Sequence, residues 1–208
     1  MQADHLLTLT QWLSAAYPVG SFAWSHGLEN AVSAGQVHDA ASLQDWLGVV
    51  LEQGSGRTDA ILLAAAHRGE TVADLAAALA PSRERRLETL QQGAAFAAIT
   101  RAVWGLDLAD AAYPVVVGRA AGLMGLPVEA TAQVYLFSFV SALTQAAQRL
   151  MPLGQTKGQQ VLAALAPLCQ TLGQDAANLS TDDLGSSGFA VDIASMRHEG
   201  QEPRIFRS

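Results

Sequence analysis

Apolar residues recur at intervals of three and four positions along nearly the whole chain, the spacing that places them on one face of an α-helix. Residues 39–52 show this spacing clearly, with Asp39 as a candidate N-cap ahead of the apolar positions. Those positions are Leu43, Trp46, Leu47, Val50 and Leu51. No stretch alternates apolar and polar residues between hairpin turns, the pattern that indicates β-strands. The sequence therefore predicts an all-α fold, a single bundle of about eight to ten helices.

Capping residues and prolines indicate where several helices begin and end. Ser82 is a candidate cap for a long helix of about six turns over residues 83–104. Pro127 suits the first turn of another helix, and Asp59 is a candidate start for a third. Pro167 lies within the last long amphipathic segment, and we expect it to bend that helix or end it early.

A sharp turn interrupts the helical pattern at residues 17–29, YPVGSFAWSHGLE. A proline and a glycine in this stretch allow the chain to reverse direction, and either Ser21 or Ser25 can cap the helix that follows. Two interpretations are open. The stretch is either a corner between helices in which Phe22 and Trp24 are packed, or a surface that presents them to a partner.

The composition is apolar and acidic. Half of the residues are hydrophobic, only 15% are charged, and the net charge is −7. This composition favours burial of apolar surface against another subunit or partner, whereas the negative charge makes nucleic acid and anionic membranes unfavourable partners. The single cysteine, Cys169, excludes an intramolecular disulfide framework and indicates a reducing cytosol. Neither a signal peptide nor a transmembrane helix is indicated, so we expect a cytoplasmic protein.

The last twelve residues, 197–208, differ in charge from the rest of the chain. Three arginines and two glutamates give this segment a charge of +1, which leaves −8 on residues 1–196. Such a segment is either disordered or folded back on its own domain, or it is a docking peptide with Phe206 as the apolar anchor. We therefore divide the chain into an all-helical domain, 1–196, and a C-terminal docking segment, 197–208.

The sequence contains no catalytic or metal-binding constellation with the required spacing. The only lysine, Lys157, does not lie in a Walker A loop. His26 and Glu29 are three residues apart, but no second carboxylate-bearing helix matches them as in a di-metal bundle. Ser25 and His26 would point about 100° apart on a helix and could not act as nucleophile and base. We predict a non-enzymatic protein with no catalytic residue, no metal ligand and no cofactor, although transient metal handling stays open.

Both ends of the chain resemble the UreF family of urease accessory proteins. Residues 18–29, PVGSFAWSHGLE, match the family's Pro-x-Gly-x-Phe-x-x-Ser-x-Gly-Leu-Glu signature at every fixed position. Residues 196–199, MRHE, and 204–208, RIFRS, are similar to the family's terminal pattern, with Ile205 in place of leucine. Middle blocks, including residues 150–155, LMPLGQ, also look like those of the family.

The resemblance implies an all-helical, homodimeric and non-enzymatic assembly factor for nickel urease. Members of this family bind the accessory protein UreD or UreH, and together they recruit the nickel-carrying GTPase UreG to apo-urease. The family is also credited with modulating the GTPase and is associated with nickel cation binding, but no residue here is assigned to either role. The implied partner-binding residues are Phe22, Trp24, Ser25, Glu29, Arg197, His198, Glu199, Arg204, Ile205, Phe206, Arg207 and Ser208.

A second hypothesis comes from a different functional class. It is an all-helical enzyme with a small-molecule pocket formed around Tyr17, Phe22 and Trp24. An enzyme would show activity or saturable ligand binding as an isolated chain, whereas an adaptor would show stable co-elution with its partners.

Overall fold

A computed structural model describes residues 3–208 and shows ten α-helices, with no β-strand in that part of the chain. The helices are α1 (Ala3–Trp12), α2 (Leu28–Ser33), α3 (Ala40–Glu52), α4 (Ser55–His67), α5 (Ala73–Ala78), α6 (Arg83–Trp104), α7 (Tyr113–Leu123), α8 (Val128–Leu150), α9 (Gln155–Ala176) and α10 (Phe189–His198). Short 3-10 turns occupy Ser21–Ala23 and Thr181–Asp183. The predicted all-α fold is confirmed. Within the described range, no helix is both long enough and apolar enough to cross a membrane.

Side-chain caps fix the starts of two helices where the sequence predicts them. Asp39 accepts a hydrogen bond from the Ser42 amide at 2.8 Å, and the Ser42 hydroxyl closes a capping box on α3. Ser82 accepts a hydrogen bond from the Arg85 amide at 3.0 Å at the start of α6. The predicted start at Asp59 is wrong, because α4 begins one turn earlier, at Ser55.

Helix α9 continues through Pro167 to Ala176, so the expected early end of this helix is also wrong. The helix buries Val161, Leu165 and Cys169 and packs along α8 and α3. Burial of an aliphatic side chain of this size contributes about 1.5–3 kcal/mol. Together these contacts outweigh the roughly 3 kcal/mol that a proline costs inside a helix.

A cluster of aromatic rings joins α1, α6 and α7 at the centre of the bundle. The Trp12 ring lies edge-on to Phe96 and to Trp104, with centroids 5.4 Å apart in both pairs. Tyr17, in the turn after α1, lies 5.3 Å from Phe96, and Tyr113 lies 5.8 Å from it on another side. Edge-on and tilted pairs of this kind stabilise a core beyond their buried area. They fix the turn at residues 17–29 to the body of the bundle.

The packing order of the helices brings the end of the chain back to this turn. Helix α4 packs against α7 and α8, and α6 packs against α7. Helix α10 packs on α2 and also contacts α6 and α3. The residues that follow α10 are therefore delivered to the same end of the bundle as residues 17–29.

Glycines allow α7 to approach α4 closely. A Cβ atom built on Gly118 would lie 2.1 Å from the Leu63 carbonyl oxygen, and one on Gly122 would lie 2.4 Å from the His67 carbonyl oxygen. Real Cβ atoms do not reach such distances, so the two backbones are in contact only because these positions lack side chains. In contrast, a Cβ on Gly48 of α3 would meet nothing within 4 Å.

We expect Gly118→Ala to lower the free energy of unfolding by about 1–3 kcal/mol, because the added methyl group separates α4 from α7. Gly48→Ala is the matched control and should raise stability by about 0.5–1 kcal/mol through helix propensity alone. Urea unfolding followed by circular dichroism measures both. Equal effects of the two substitutions would contradict the close α4–α7 contact.

Candidate functional site

Residues 20–28 form a compact corner whose backbone twice enters the left-handed region. Gly20 has φ of 76°, and after the 3-10 turn His26 and Gly27 have φ of 58° and 77°. A Cβ on Gly27 would lie 2.6 Å from the Ser195 amide nitrogen of α10, so α10 packs directly on this backbone. The Ser25 hydroxyl accepts a hydrogen bond from the Glu29 amide at 3.3 Å. Of the two candidate capping serines, Ser25 thus supports the first turn of α2.

The C-terminal segment folds back onto this corner. The Arg207 amide donates to the Ala23 carbonyl oxygen at 2.8 Å. The Ser25 amide donates to the main-chain oxygen of Ser208 at 2.8 Å, and the Ser25 hydroxyl donates to the same oxygen. Of the interpretations open for this segment, the structure shows the folded-back arrangement.

Glu29 is the acceptor that anchors the segment. Its Oε1 accepts a hydrogen bond from the Ile205 amide at 2.6 Å, and its Oε2 accepts one from the Phe206 amide at 2.9 Å. Oε2 also lies 3.1 Å from Nε2 of His198. Glu29 is only 4% exposed, so these contacts replace the water that a carboxylate would otherwise bind. One buried side chain therefore joins α2, α10 and the C-terminal segment.

His198 joins Glu29 to a second buried carboxylate, Glu84 of α6. Nδ1 of His198 lies 2.7 Å from Glu84 Oε2, while Glu84 Oε1 lies 2.6 Å from Nη1 of Arg204. His198 is fully buried. Each ring nitrogen of His198 thus faces one carboxylate oxygen. A continuous line of polar contacts runs from Glu29 through His198 and Glu84 to Arg204.

A second line of polar contacts runs from Ser208 into the bundle. The Ser208 hydroxyl donates to Glu88 Oε2 at 3.2 Å, and Glu88 Oε2 lies 2.9 Å from Nη1 of Arg85. Nη2 of Arg85 lies 3.5 Å from Asp59 Oδ2, to which the Tyr135 hydroxyl donates at 2.8 Å. The buried network therefore extends from the last residue of the chain to α4 and α8.

Cation–π contacts cover the outside of the corner. The Arg149 guanidinium lies 4.2 Å from the centroid of the Phe206 ring, and its Nη1 donates to the Phe22 carbonyl oxygen at 2.8 Å. The Arg207 guanidinium lies 4.7 Å from the Trp24 ring centroid. Each such contact contributes about 0.5–1 kcal/mol at an exposed site. Arg149 of α8 and Arg207 of the C-terminal segment therefore hold the C-terminal segment against the corner.

The UreF family model matches residues 37–166 of the chain, which is more than half of its length. The chain belongs to the UreF family. The urease accessory protein UreF of Roseobacter denitrificans is 48% identical over 100% of this chain and 96% of its own length. That of Cereibacter sphaeroides strain KD131 is 53% identical over 98% of each chain, and that of Xanthobacter autotrophicus is 49% identical over 98% of this chain and 91% of its own. These names describe accessory proteins and specify no catalysed reaction.

The structure divides the twelve predicted site residues of this UreF-family chain into two groups. Those buried within the chain are Trp24, Ser25, Glu29, His198, Phe206 and Ser208. Those exposed to solvent are Phe22, Arg197, Arg204, Ile205 and Arg207, while Glu199 is half-buried and accepts a hydrogen bond from the Arg83 amide. The first group builds the corner, and only the second group is accessible to another protein. Contact with a partner stays a prediction for all twelve.

Sequence reasoning missed the α6 side of the site. The opening of α6, RERRLE, looks like a solvated charged face, yet Glu84, Arg85 and Glu88 are all buried. Glu84 and Glu88 are four residues apart and therefore lie on one face of the helix. A helix face with two carboxylates at this spacing, in a chain whose C-terminal segment is cationic, was the available signal.

The pKa values of three buried side chains beside Arg85 differ from their ordinary values. With Arg85, these side chains, His26, Asp59 and Glu88, form an inner network. Burial and the neighbouring Arg85 lower the pKa of His26 to about 4. Burial raises the pKa of Asp59 to about 6, against the opposing effect of Arg85. Burial acts to raise the pKa of Glu88, but Arg85 and His26 together outweigh it and lower the pKa to about 2. At neutral pH, Glu88 is therefore ionised and His26 is neutral.

His26 contacts Ser55 rather than its neighbour Ser25. Its Nε2 lies 2.6 Å from the Ser55 hydroxyl oxygen, whereas its Nδ1 lies 3.7 Å from Glu88 Oε2 and has no hydrogen-bond partner. The ring also packs edge-on against Phe139, with centroids 5.1 Å apart. Because one nitrogen is sealed and unpaired, a second proton on this ring would be poorly solvated.

A cavity of about 300 Å³ lies beside the corner and is lined in part by Phe22 and Trp24. Tyr17, the third residue of the predicted pocket, does not line it. The Tyr17 ring packs against Phe96, and its hydroxyl lies 2.8 Å from the hydroxyl of Thr100. The pocket is therefore present next to two of the three aromatic residues, with Tyr17 in the core instead.

We expect Glu29→Ala to lower the free energy of unfolding by about 3 kcal/mol, because it removes the acceptor of two main-chain amides and of His198. Amide hydrogen exchange at Ile205 and Phe206 should accelerate more than exchange in α8. Glu52→Ala, at an exposed position, is the control and should change stability by less than about 0.5 kcal/mol. Unchanged exchange at residues 205 and 206 would contradict the anchoring role of Glu29.

A second prediction concerns the pH dependence of stability. The folded-state pKa of His26 lies below its ordinary value of 6.5, so the unfolded chain binds more protons between about pH 4 and 6.5. His26 therefore removes stability as the pH falls through this window. Asp59 has the opposite effect between about pH 3.8 and 6, because its pKa is raised.

The variant His26→Asn isolates the histidine, since asparagine tolerates a positive φ. The stability of the wild-type chain minus that of the variant should fall by ~3 kcal/mol between pH 7 and pH 4. Above pH 7 the difference should be constant, which provides the internal control. Urea unfolding at a series of pH values measures it, and a difference that rises on acidification would show that charged His26 is stabilised.

Proposed function

We propose that this chain acts in urease maturation as an adaptor between other proteins rather than as a catalyst. Membership of the UreF family and the accessory-protein names of its relatives support the role. The observation that carries the adaptor proposal is the meeting of the two motifs from opposite ends of the sequence. Glu29 joins residues 18–29 to residues 196–208. Together the two stretches form one surface, which we call the docking surface.

The proposed partners are UreD or UreH, and with it the GTPase UreG and apo-urease. The accessible residues of the surface are suited to a protein partner, because exposed apolar side chains alternate with arginines. Phe22 is 56% exposed and Ile205 is 62% exposed, and Arg204 precedes Ile205 while Arg207 follows it by two residues. A complementary partner presents an apolar pocket bordered by carboxylates, to which arginine can bind in bidentate fashion.

The proposal also includes a homodimer in the cytoplasm, delivery of nickel to urease by the assembled complex, and modulation of the UreG GTPase. The apolar composition favours burial of further surface in a dimer. Nickel is the cargo of the complex in this proposal, and no residue of this chain is assigned to it.

The ordered C-terminal segment changes how docking is best tested. A partner binds a segment that is already held in place, so little ordering entropy opposes binding. Deletion of residues 197–208 would remove the segment's donors to Glu29 and Glu84, together with the Ser208 donor to Glu88. Such a deletion would confuse loss of binding with loss of folding, whereas substitutions at exposed side chains separate them.

We expect the double variant Ile205→Asp with Arg207→Glu to abolish stable co-elution with UreD or UreH and UreG. The matched control is Leu87→Asp with Arg86→Glu, which makes the same change in charge and apolarity at exposed positions of α6. Size-exclusion chromatography with light scattering, with circular dichroism as the folding check, measures the outcome. Equal weakening by both variants would indicate long-range charge attraction, and co-elution of both would remove this surface from the proposal.

A further inference from the structure

The cavity beside the corner has the shape of a ligand site. Its volume of about 300 Å³ is at the lower end of the range for pockets that bind small molecules. The corner forms one side and α6 and α8 form others. Phe22 and Phe137, which are 56% and 38% exposed, lie among the lining residues at the protein surface. Trp24 and Phe139 line the cavity further from solvent.

Charged side chains that belong to the inner network also line this cavity. They are Asp59, Arg85 and Glu88, which are 6%, 6% and 4% exposed. Arg85 contacts both carboxylates, at 3.5 Å to Asp59 and 2.9 Å to Glu88. With both carboxylates ionised, one guanidinium faces two negative charges, so the lining carries a formal charge of −1. Neither Gln92 nor Thr89, which also line the cavity, adds charge.

Asp59 retains an unused acceptor. Its Oδ2 accepts the Tyr135 hydroxyl and faces Arg85, but its Oδ1 accepts no hydrogen bond from residues 3–208. That oxygen is not among the side-chain atoms that are sealed from solvent without a partner. A carboxylate oxygen that is free to accept, on a residue that lines the cavity, is a recognition element for a hydrogen-bonding cation.

We propose that the cavity binds a small organic monocation, an ammonium or amidinium group carried on an apolar body. A bound monocation brings the formal charge of the site to zero. A bound anion would make it −2, and two uncompensated negative charges in a buried site carry a high desolvation cost. Trp24 and Phe139 bring aromatic rings into the lining, the type of side chain that attracts a cation, and the apolar walls cover the body of the ligand.

A metal ion fits this site less well than an organic cation. Within residues 3–208, no group of three or more histidine, cysteine, aspartate or glutamate side chains is arranged to hold one. Transition metals and magnesium require several such ligands, and phenyl and indole rings supply none. The cavity shares Phe22 with the surface proposed to bind partners, but ligand binding is measured on the isolated chain, so its outcome does not depend on the proposed adaptor role.

A charge series on the unaltered chain tests the proposal. Benzamidinium, benzamide and benzoate have nearly the same shape and carry charges of about +1, 0 and −1 near neutral pH. We expect benzamidinium to bind at least about tenfold more tightly than benzamide, and benzoate to bind more weakly still. Isothermal titration calorimetry at low salt measures all three. Equal affinities across the series, or tighter binding of benzoate, would overturn the proposal.

Two variants locate the binding site. Asp59→Asn keeps the shape and removes the charge, and it should abolish the preference for benzamidinium over benzamide. Ala142→Phe fills the cavity from α8 and leaves the charged residues unchanged in sequence, and it should abolish binding of benzamidinium. Val103→Phe adds the same bulk at an exposed position of α6 and should bind like the wild-type chain. If Ala142→Phe, checked for folding by circular dichroism, bound benzamidinium as the wild-type chain does, the cavity would not be the site.

Discussion

The interaction on which the rest of the site depends is the acceptance of two consecutive main-chain amides by the buried carboxylate of Glu29. A carboxylate can be buried at this position only if donors replace its hydration shell, because the cost of leaving it unpaired is several kcal/mol. Residues 205 and 206 and His198 supply those donors. The C-terminal segment is ordered because a buried charge requires it, and Phe206 is then carried into its place between the corner and Arg149.

The same requirement explains why the charge of the chain is distributed unevenly. Glu84 and Glu88 lie on the inner face of α6, and their cationic or hydroxyl partners come from the last eleven residues and from Arg85. A buried ion pair adds little net stability over an apolar pair of the same size, but breaking one costs several kcal/mol. The network therefore specifies where the segment lies more than it stabilises the bundle. The aromatic cluster around Trp12 and the close contact of α4 with α7 supply the stability.

Local sequence signals predict the fold well and the inner site poorly. The caps at Asp39 and Ser82 act within one turn of helix, so their effect is readable without the tertiary structure. Pro167 does not end α9 early, because the packing of α9 on α8 overrides a local penalty. The motifs at both ends of the chain indicate which residues matter, but not that Glu29 and residues 205–206 are in contact. That pairing links positions 176 and 177 residues apart and is decided by the route of α10 across the bundle.

Glu88 connects the docking surface to the cavity. Its Oε2 accepts the hydroxyl of Ser208 at the end of the segment and faces Arg85 in the cavity lining, while Gln92 donates to its Oε1 at 3.3 Å. A partner that pulls Ser208 away removes one of the donors that hold this carboxylate. The Arg85 guanidinium would then compensate more of the Glu88 charge and less of the Asp59 charge. The raised pKa of Asp59 indicates that Arg85 already compensates the Asp59 charge only in part. Because free energies of coupling are reciprocal, a cation bound beside Asp59 would in turn alter how firmly the segment is held.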